Sequence, residues 1–399
     1  MKKNQKIIFK NSIQKEFLKH KNGKNFEIFF PKINENILLN INNPKYVFNT
    51  LNDNFKLSFN SKDLHFFQKF KTVVVIGMGG SILGAEAIYT FLKKKIKKDF
   101  LFVDNIDENK LQEIKNKKKL DKILFIIISK SGNTIETIAN IEVLKIIKRK
   151  RKNIIVISEK NQNHLYSLVK KMQVFHIEHR RYIGGRYSVL SEVGMVPAFL
   201  MGVNILQLRK NLLSHLIGKN KNILKDSSIK LAKIFQKNKL NTIIFLNYIP
   251  ELNNFLHWCQ QLIAESLGKK GKGFLPVVSP APKDHHSLLQ LYLDGPKNKL
   301  FYIFSKETDK KDKTKINFLK NKRLSQIKIA QKNSFLKSLK KKGIPYREFR
   351  IKDFDEQTLG ELFSYFMLET SIIGKLVNIN PFDQPAVEEV KINTSKILL

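Results

Sequence analysis

Leu124-Phe-Ile-Ile-Ile128 runs straight into Ser129-Lys-Ser-Gly-Asn-Thr-Ile-Glu-Thr137. Consecutive large apolar residues with no polar alternation suit a strand buried on both faces, so the first stretch predicts a central strand of a parallel sheet. The second stretch is a polar turn leading into Ile135–Ile147, whose apolar spacing is helical. Asn133 could cap that helix, with Glu136 three residues on. Capping needs one or two such residues. Here Ser129, Lys130, Ser131, Gly132, Thr134 and Thr137 crowd the carboxyl end of a strand, where open α/β sheets bind ligands. Hydroxyls and helix N–H groups suit a phosphate monoester, which offers three acceptor oxygens.

The same alternation extends in both directions. Val73–Gly77, Phe100–Asp104, Ile154–Ser158 and Gln173–Ile177 read as further strands, separated by amphipathic stretches. In the second half the strand candidates are Thr242–Asn247, Phe274–Val278, Leu300–Ser305 and Tyr346–Ile351. Leu252–Leu267, Ser334–Lys341 and Glu356–Ile373 read as helices. The expectation is an α/β protein of two doubly wound parallel sheets, in domains 51–204 and 205–376 that meet near Gly202–Asn204. Residues 1–50 form no clear βα unit and are expected as an N-terminal arm, with 377–399 as a C-terminal one.

Composition bounds the function. The chain has 399 residues, 42% hydrophobic and 27% charged, which suits a folded protein too long for one ordinary core. Its single cysteine, Cys259, permits no internal disulfide and no multi-cysteine zinc site, and fits a reducing compartment. Lys10 and Lys15 interrupt any signal-peptide core, and the apolar run Val193–Leu206 holds Pro197 and Asn204 and is too short to span a bilayer. A cytoplasmic protein with no membrane partner is expected. The net charge of +39 could mark a nucleic-acid binder. The lysines are scattered, however, so a solvated surface is the expectation, with attraction of anionic substrates as a by-product.

Upstream, Val73-Val-Val-Ile-Gly-Met-Gly-Gly-Ser-Ile-Leu-Gly84 is a strand entering a glycine turn. Gly77, Gly79 and Gly80 let backbone N–H groups approach an anion, and the following helix adds its positive end, although a plain tight turn reads equally well. Ile82 replaces the third glycine of a dinucleotide fingerprint, and no Walker lysine follows.

With these two loops the chain resembles sugar isomerase (SIS) domains, and among them the glucose-6-phosphate isomerase (phosphoglucose isomerase) family. Gly184-Gly-Arg-Tyr-Ser188, Gln261-Leu-Ile-Ala-Glu-Ser-Leu-Gly-Lys269, Asp284-His-His-Ser287 and Asn380-Pro-Phe-Asp-Gln-Pro-Ala-Val-Glu-Glu-Val-Lys391 are similar to that family's motifs and follow its order. The resemblance implies reversible aldose–ketose isomerisation of glucose 6-phosphate and fructose 6-phosphate through an enediolate. It implies Glu265 as the proton-transfer base, Arg186 beside the developing oxyanion, His286 and Lys391 as the ring-opening pair, and Gln261 and Gln384 as substrate contacts. Gly80, Ser81, Ser129, Lys130, Ser131 and Thr134 would hold the phosphate. No metal or cofactor is implied. A homodimer is, with His286 supplied across the interface.

The chemistry agrees in kind, since enolisation needs a carboxylate base and a nearby cation. Gln261 lies one helical turn before Glu265, on the same face. His285 stands beside His286 and competes with it for the sugar. A solvated glutamate, an arginine paired at a turn and a surface lysine remain the plain alternatives for Glu265, Arg186 and Lys391. A phosphoglucose/phosphomannose isomerase and a non-catalytic SIS-type sugar-phosphate sensor stay open as alternative functions. The phosphate loop reads Ser-Lys-Ser-Gly-Asn where glucose-branch members often carry Ser-Lys-Thr-x-Thr-Thr, and the chain is short for the family.

Overall fold

A computed structural model describes residues 6–18, 25–117, 119–218, 220–306, 317–319 and 321–398. The strands are β1 (Ile7–Ser12), β2 (Thr72–Gly77), β3 (Asp99–Val103), β4 (Ile123–Ile128), β5 (Ile154–Ser158), β6 (Phe175–Glu178), β7 (Thr242–Asn247), β8 (Leu275–Pro280), β9 (Lys299–Lys306) and β10 (Tyr346–Ile351). They form two sheets, in the orders β3-β2-β4-β5-β6 and β1-β10-β9-β7-β8. The first sheet is wholly parallel. In the second, β7, β8, β9 and β10 are parallel. Chain order reverses beside the first strand of each set, between β2 and β4 and again between β7 and β9. That reversal is the topological switch at which such sheets open a crevice.

The apolar runs explain the layering. Every residue of β2, β4 and β5 is buried, as strands covered on both faces must be. The Asn253–Leu267 helix of the second sheet packs on the Leu83–Leu92 helix of the first. This contact carries Glu265 to the first sheet's glycine turn. The Glu356–Leu376 helix is buried along most of its length and forms the spine of the second sheet's core.

The N-terminal segment joins that second sheet. β1 pairs antiparallel to β10, Ile7 opposite Ile351, and the Phe26–Asn40 helix lies on Glu356–Leu376. Beneath the strand, Arg347 gives a bidentate pair to Glu369 at 3.0 and 2.7 Å, and its Nε donates to Asn11 at 3.0 Å. Tyr365 donates to the same carboxylate at 2.6 Å, so the buried charges are paired and hydrogen-bonded. At the other end, the Pro385–Leu398 helix buries none of its residues, and Val387, Val390, Ile392, Ile397 and Leu398 face out. Among the described residues, no helix is long and apolar enough to cross a membrane.

Candidate active site

Glycine builds the floor of the site. A Cβ on Gly80 would lie 2.1 Å from the Gly185 carbonyl carbon and 2.5 Å from the Arg186 nitrogen, so only glycine lets these two turns touch. Gly79 has φ of +51°, and a Cβ there would meet Gln261 Nε2 at 2.7 Å. The turn after β2 therefore serves as a seat on which Arg186 and Gln261 converge. Ser81 closes it, its N–H donating to Met78 O at 3.1 Å.

Arg186, 2% exposed, spends its whole guanidinium there. Nε donates to Ser266 Oγ at 2.9 Å, Nη1 to Glu265 Oε2 at 3.0 Å and to Gln384 Oε1, and Nη2 to the carbonyls of Pro381 and Asp383 at 2.8 and 2.9 Å. The other Glu265 oxygen accepts from Gln261 Nε2 at 2.9 Å. The carboxylate is thus fixed from both sides, yet 28% of its side chain faces solvent. It stands at one end of an open cleft of about 1020 Å³ that Gln261, Asn254, His257, Glu86 and Asp104 also line. Gln261 Oε1 is buried without a partner among the described residues, which leaves an acceptor for an incoming hydroxyl.

The loop after β4 gathers hydroxyls and a lysine. The Ile135–Leu144 helix starts from Thr134, not Asn133, and Thr134 makes no capping bond. Its Oγ1 lies instead 2.8 Å from Ser129 Oγ, which accepts from the Gly132 N–H at 3.2 Å. Asn133 Oδ1 accepts from the His164 N–H at 2.9 Å. Helix capping therefore does not account for the hydroxyls. Ser131 is exposed at the loop's tip. Burial pulls the Lys130 pKa below the usual lysine value. Glu159, 3.9 Å away, opposes this, while Arg181 and Arg186 push the same way. Cations crowded this closely favour a bound anion.

The remaining expected residues stand apart. His285 is engaged within its own chain, with Nε2 2.8 Å from Tyr248 Oη and the ring tilted over Phe335. His286 is exposed, and its ring has no hydrogen bond among the described residues. Lys391, on the outlying Pro385–Leu398 helix, pairs with Glu388 at 2.8 Å. Neither touches Glu265 within one chain.

Sequence reasoning passed over two supports. Tyr187 Oη meets Ser266 Oγ at 3.0 Å and donates to Pro381 O at 3.2 Å, backing the Arg186 pocket. Lys269 Nζ donates to the Asn380 carbonyl, to Asp383 O at 2.8 Å and to Asp383 Oδ1 at 2.6 Å. The signal for Lys269 was its place at the end of the glutamate motif.

Two switched, mainly parallel sheets, with a fixed carboxylate–guanidinium pair between them, define an α/β protein of the sugar-isomerase-domain class. A family model described as phosphoglucose isomerase matches residues 49–273. The "probable glucose-6-phosphate isomerase" of Methanococcus maripaludis is 34% identical over 356 residues, covering 85% of this chain and 80% of its own. The glucose-6-phosphate isomerase of Methanocaldococcus jannaschii is 32% identical, covering 81% and 83%. A crystal structure of a glucose-6-phosphate isomerase from Chlamydia trachomatis shares the fold with a TM-score of 0.72 at 22% identity, covering 85% of this chain and 72% of that one. The chain belongs to the phosphoglucose isomerase family.

Proposed function

We propose that the protein interconverts glucose 6-phosphate and fructose 6-phosphate. The observation that carries this reading is Glu265, held between Arg186 and Gln261 with its carboxylate open to the cleft. Glu265 takes the proton from one carbon of the open-chain sugar and returns it to the neighbour. Arg186 stabilises the negative charge that develops on the enediolate oxygen. Ser129, Lys130, Ser131 and Thr134, with Ser81 and the Gly80 turn, hold the phosphate, and Gln261 and Gln384 orient the hydroxyls. No metal takes part in this chemistry.

His286 and Lys391 open the sugar ring, and His286 comes from the second chain of a homodimer. Two features support that assembly: the free, exposed ring of His286 and the uncovered apolar residues of the Pro385–Leu398 helix. A cytoplasmic location suits a chain whose single cysteine is free and buried. Coupled assays with glucose 6-phosphate, fructose 6-phosphate and mannose 6-phosphate test the reading. Turnover of the first two alone supports it, and turnover of mannose 6-phosphate as well would make the enzyme bifunctional. No turnover of any would leave a sugar-phosphate sensor.

A further inference from the structure

The two sheets repeat one design, and the second copy has its own crevice. Leu124-Phe-Ile-Ile-Ile-Ser-Lys130 and Leu300-Phe-Tyr-Ile-Phe-Ser-Lys306 differ at only two positions. The register agrees as well. Ile128 pairs with Gly77, the last residue of β2, and Phe304 pairs with Asn247, the last residue of β7. Each strand lies beside the switch of its sheet, and each is followed by a helix, Ile135–Leu144 or Leu324–Lys341. Ser305-Lys306 therefore occupies in the second sheet the place that Ser129-Lys130 occupies in the first.

A small pocket open to solvent lies there, lined by Tyr248, Ser305, Lys306, Ser325, Lys328, Ile329 and Lys332. Three of those seven residues are lysines. Lys332 is 8% exposed, and its nearest carboxylate oxygen, on Glu348, is 3.9 Å away, beyond hydrogen-bonding distance. Lys10 shares that carboxylate at 3.7 Å. Burial and the charges of Arg350 and Lys10 hold the Lys332 pKa below the usual lysine value, against the pull of Glu348. Among the described residues neither Lys328 nor Lys332 has a carboxylate within hydrogen-bonding distance, and an anion would answer their charge. Residues 307–316, beyond β9, lie outside the described residues.

We propose that this cavity, at the carboxyl ends of β7 and β9, is a second binding site for a phosphate-class anion, held by Lys328, Lys332 and the Ser305-Lys306 end of β9. It is separate from the loop after β4 that receives the substrate's phosphate. Tyr248 lines it, and Tyr248 Oη meets His285 Nε2 at 2.8 Å, one residue from His286. Occupancy is therefore transmitted to the histidine segment. This coupling rests on the role proposed above for His286, whereas binding at the cavity does not.

The test is calorimetric titration of the purified enzyme with inorganic phosphate and, separately, with glycerol 3-phosphate. Two sites per chain are expected. Ser131→Ala with Thr134→Ala should weaken only the first, and Lys328→Gln with Lys332→Met only the second, each by about tenfold or more. Lys340→Gln removes one positive charge from an exposed turn of the same helix, as Lys328→Gln does, and should affect neither. Equal binding of the two probes would mean that free phosphate is the natural anion, and tighter ester binding that a phosphorylated metabolite is. Should the double lysine variant misfold, Lys328→Gln alone is read, since that side chain is only part-buried. A single site that disappears with the Ser131/Thr134 changes would overturn the proposal, as would equal weakening by Lys340→Gln. A phosphate effect on kcat that Lys328→Gln abolishes supports the coupling, and an effect confined to KM overturns it.

Discussion

Lys269 Nζ lies 2.6 Å from Asp383 Oδ1 and also donates to Asp383 O, the carbonyl that Arg186 Nη2 holds from the other side. The backbone that carries the lysine is held as well. Its own N–H and C=O pair with Lys272 across a two-residue turn in which Lys270 and Gly271 both have positive φ, +55° and +69°. The contact also holds the Asp383 pKa below the usual carboxylate value. Lys269 therefore fixes the loop that presents Gln384 and starts the Lys391 helix. Lys269→Met should lower kcat by about ten- to a hundredfold, because small misplacements of reacting groups are costly. Lys269→Arg should recover part of that loss, whereas an unspecific structural defect would leave it unrescued. Unchanged kcat in Lys269→Met would remove the positioning role.

Glu265→Gln keeps the shape of the side chain and removes the base. Its kcat should fall by roughly two to four powers of ten with little change in substrate affinity. Steady-state assays on the refolded variant decide this, and near-normal turnover would exclude Glu265 as the base.

Ser131→Ala with Thr134→Ala removes two hydroxyls from the loop after β4. Both KM and kcat should suffer, because energy gained at the remote phosphate also orients the sugar. Inorganic phosphate should compete with substrate in the parent enzyme. Equal turnover of glucose and glucose 6-phosphate would place the phosphate elsewhere.

Glu86, beside the cleft, has its pKa raised to about 7 from 4.5, by burial first and by Asp104 second, against Lys110. Between those two values the folded state holds a proton that the unfolded state has lost, so stability falls as pH rises through that window. Glu86→Gln should abolish this slope. At pH 8 the variant should be more stable than the parent by about 1–2 kcal/mol, discounted for partial exposure, with no difference near pH 4. Urea denaturation at both pH values checks the sign, and a less stable variant at pH 8 would contradict it.

Subunit mixing tests the shared site. Chains carrying Glu265→Ala and chains carrying His286→Ala are each expected to be strongly impaired. Refolded together they form mixed dimers in which one composite site has both residues and the other has neither. Random pairing makes half of the dimers mixed, so about a quarter of all sites should regain activity. Mixed dimers confirmed by mass but no more active than their parents would show that each site is built from one chain.

Much of the scaffold was legible because buried parallel strands are continuous apolar runs. Ile154–Ser158, Thr242–Asn247 and Tyr346–Ile351 were read residue for residue. β1 was missed for a physical reason. Ile7-Ile-Phe-Lys-Asn-Ser is half polar, as an edge strand can be, and its partner β10 lies near the far end of the sequence. Asn133 read as a helix cap because its spacing to Glu136 fits, yet its side chain instead joins the neighbouring turn at His164. The Glu265–Arg186–Gln261 cluster was legible through its motifs, and Gln261 also through helical periodicity. The part played by Lys269 was not, since only the folded chain brings Asn380 and Asp383 to its side chain.

The pairing of β1 with β10 also bears on how the chain is made. Ile7–Ser12 leave the ribosome before every other strand of their sheet, while the strand they dock on is the last of that sheet to emerge. The first sheet, from β2 to β6, has all its strands outside long before then and can assemble during translation. The second sheet cannot close its β10 edge until Tyr346–Ile351 has emerged. Until then an Ile-Ile-Phe segment waits unpaired, at the mercy of other nascent chains or in the keeping of a chaperone.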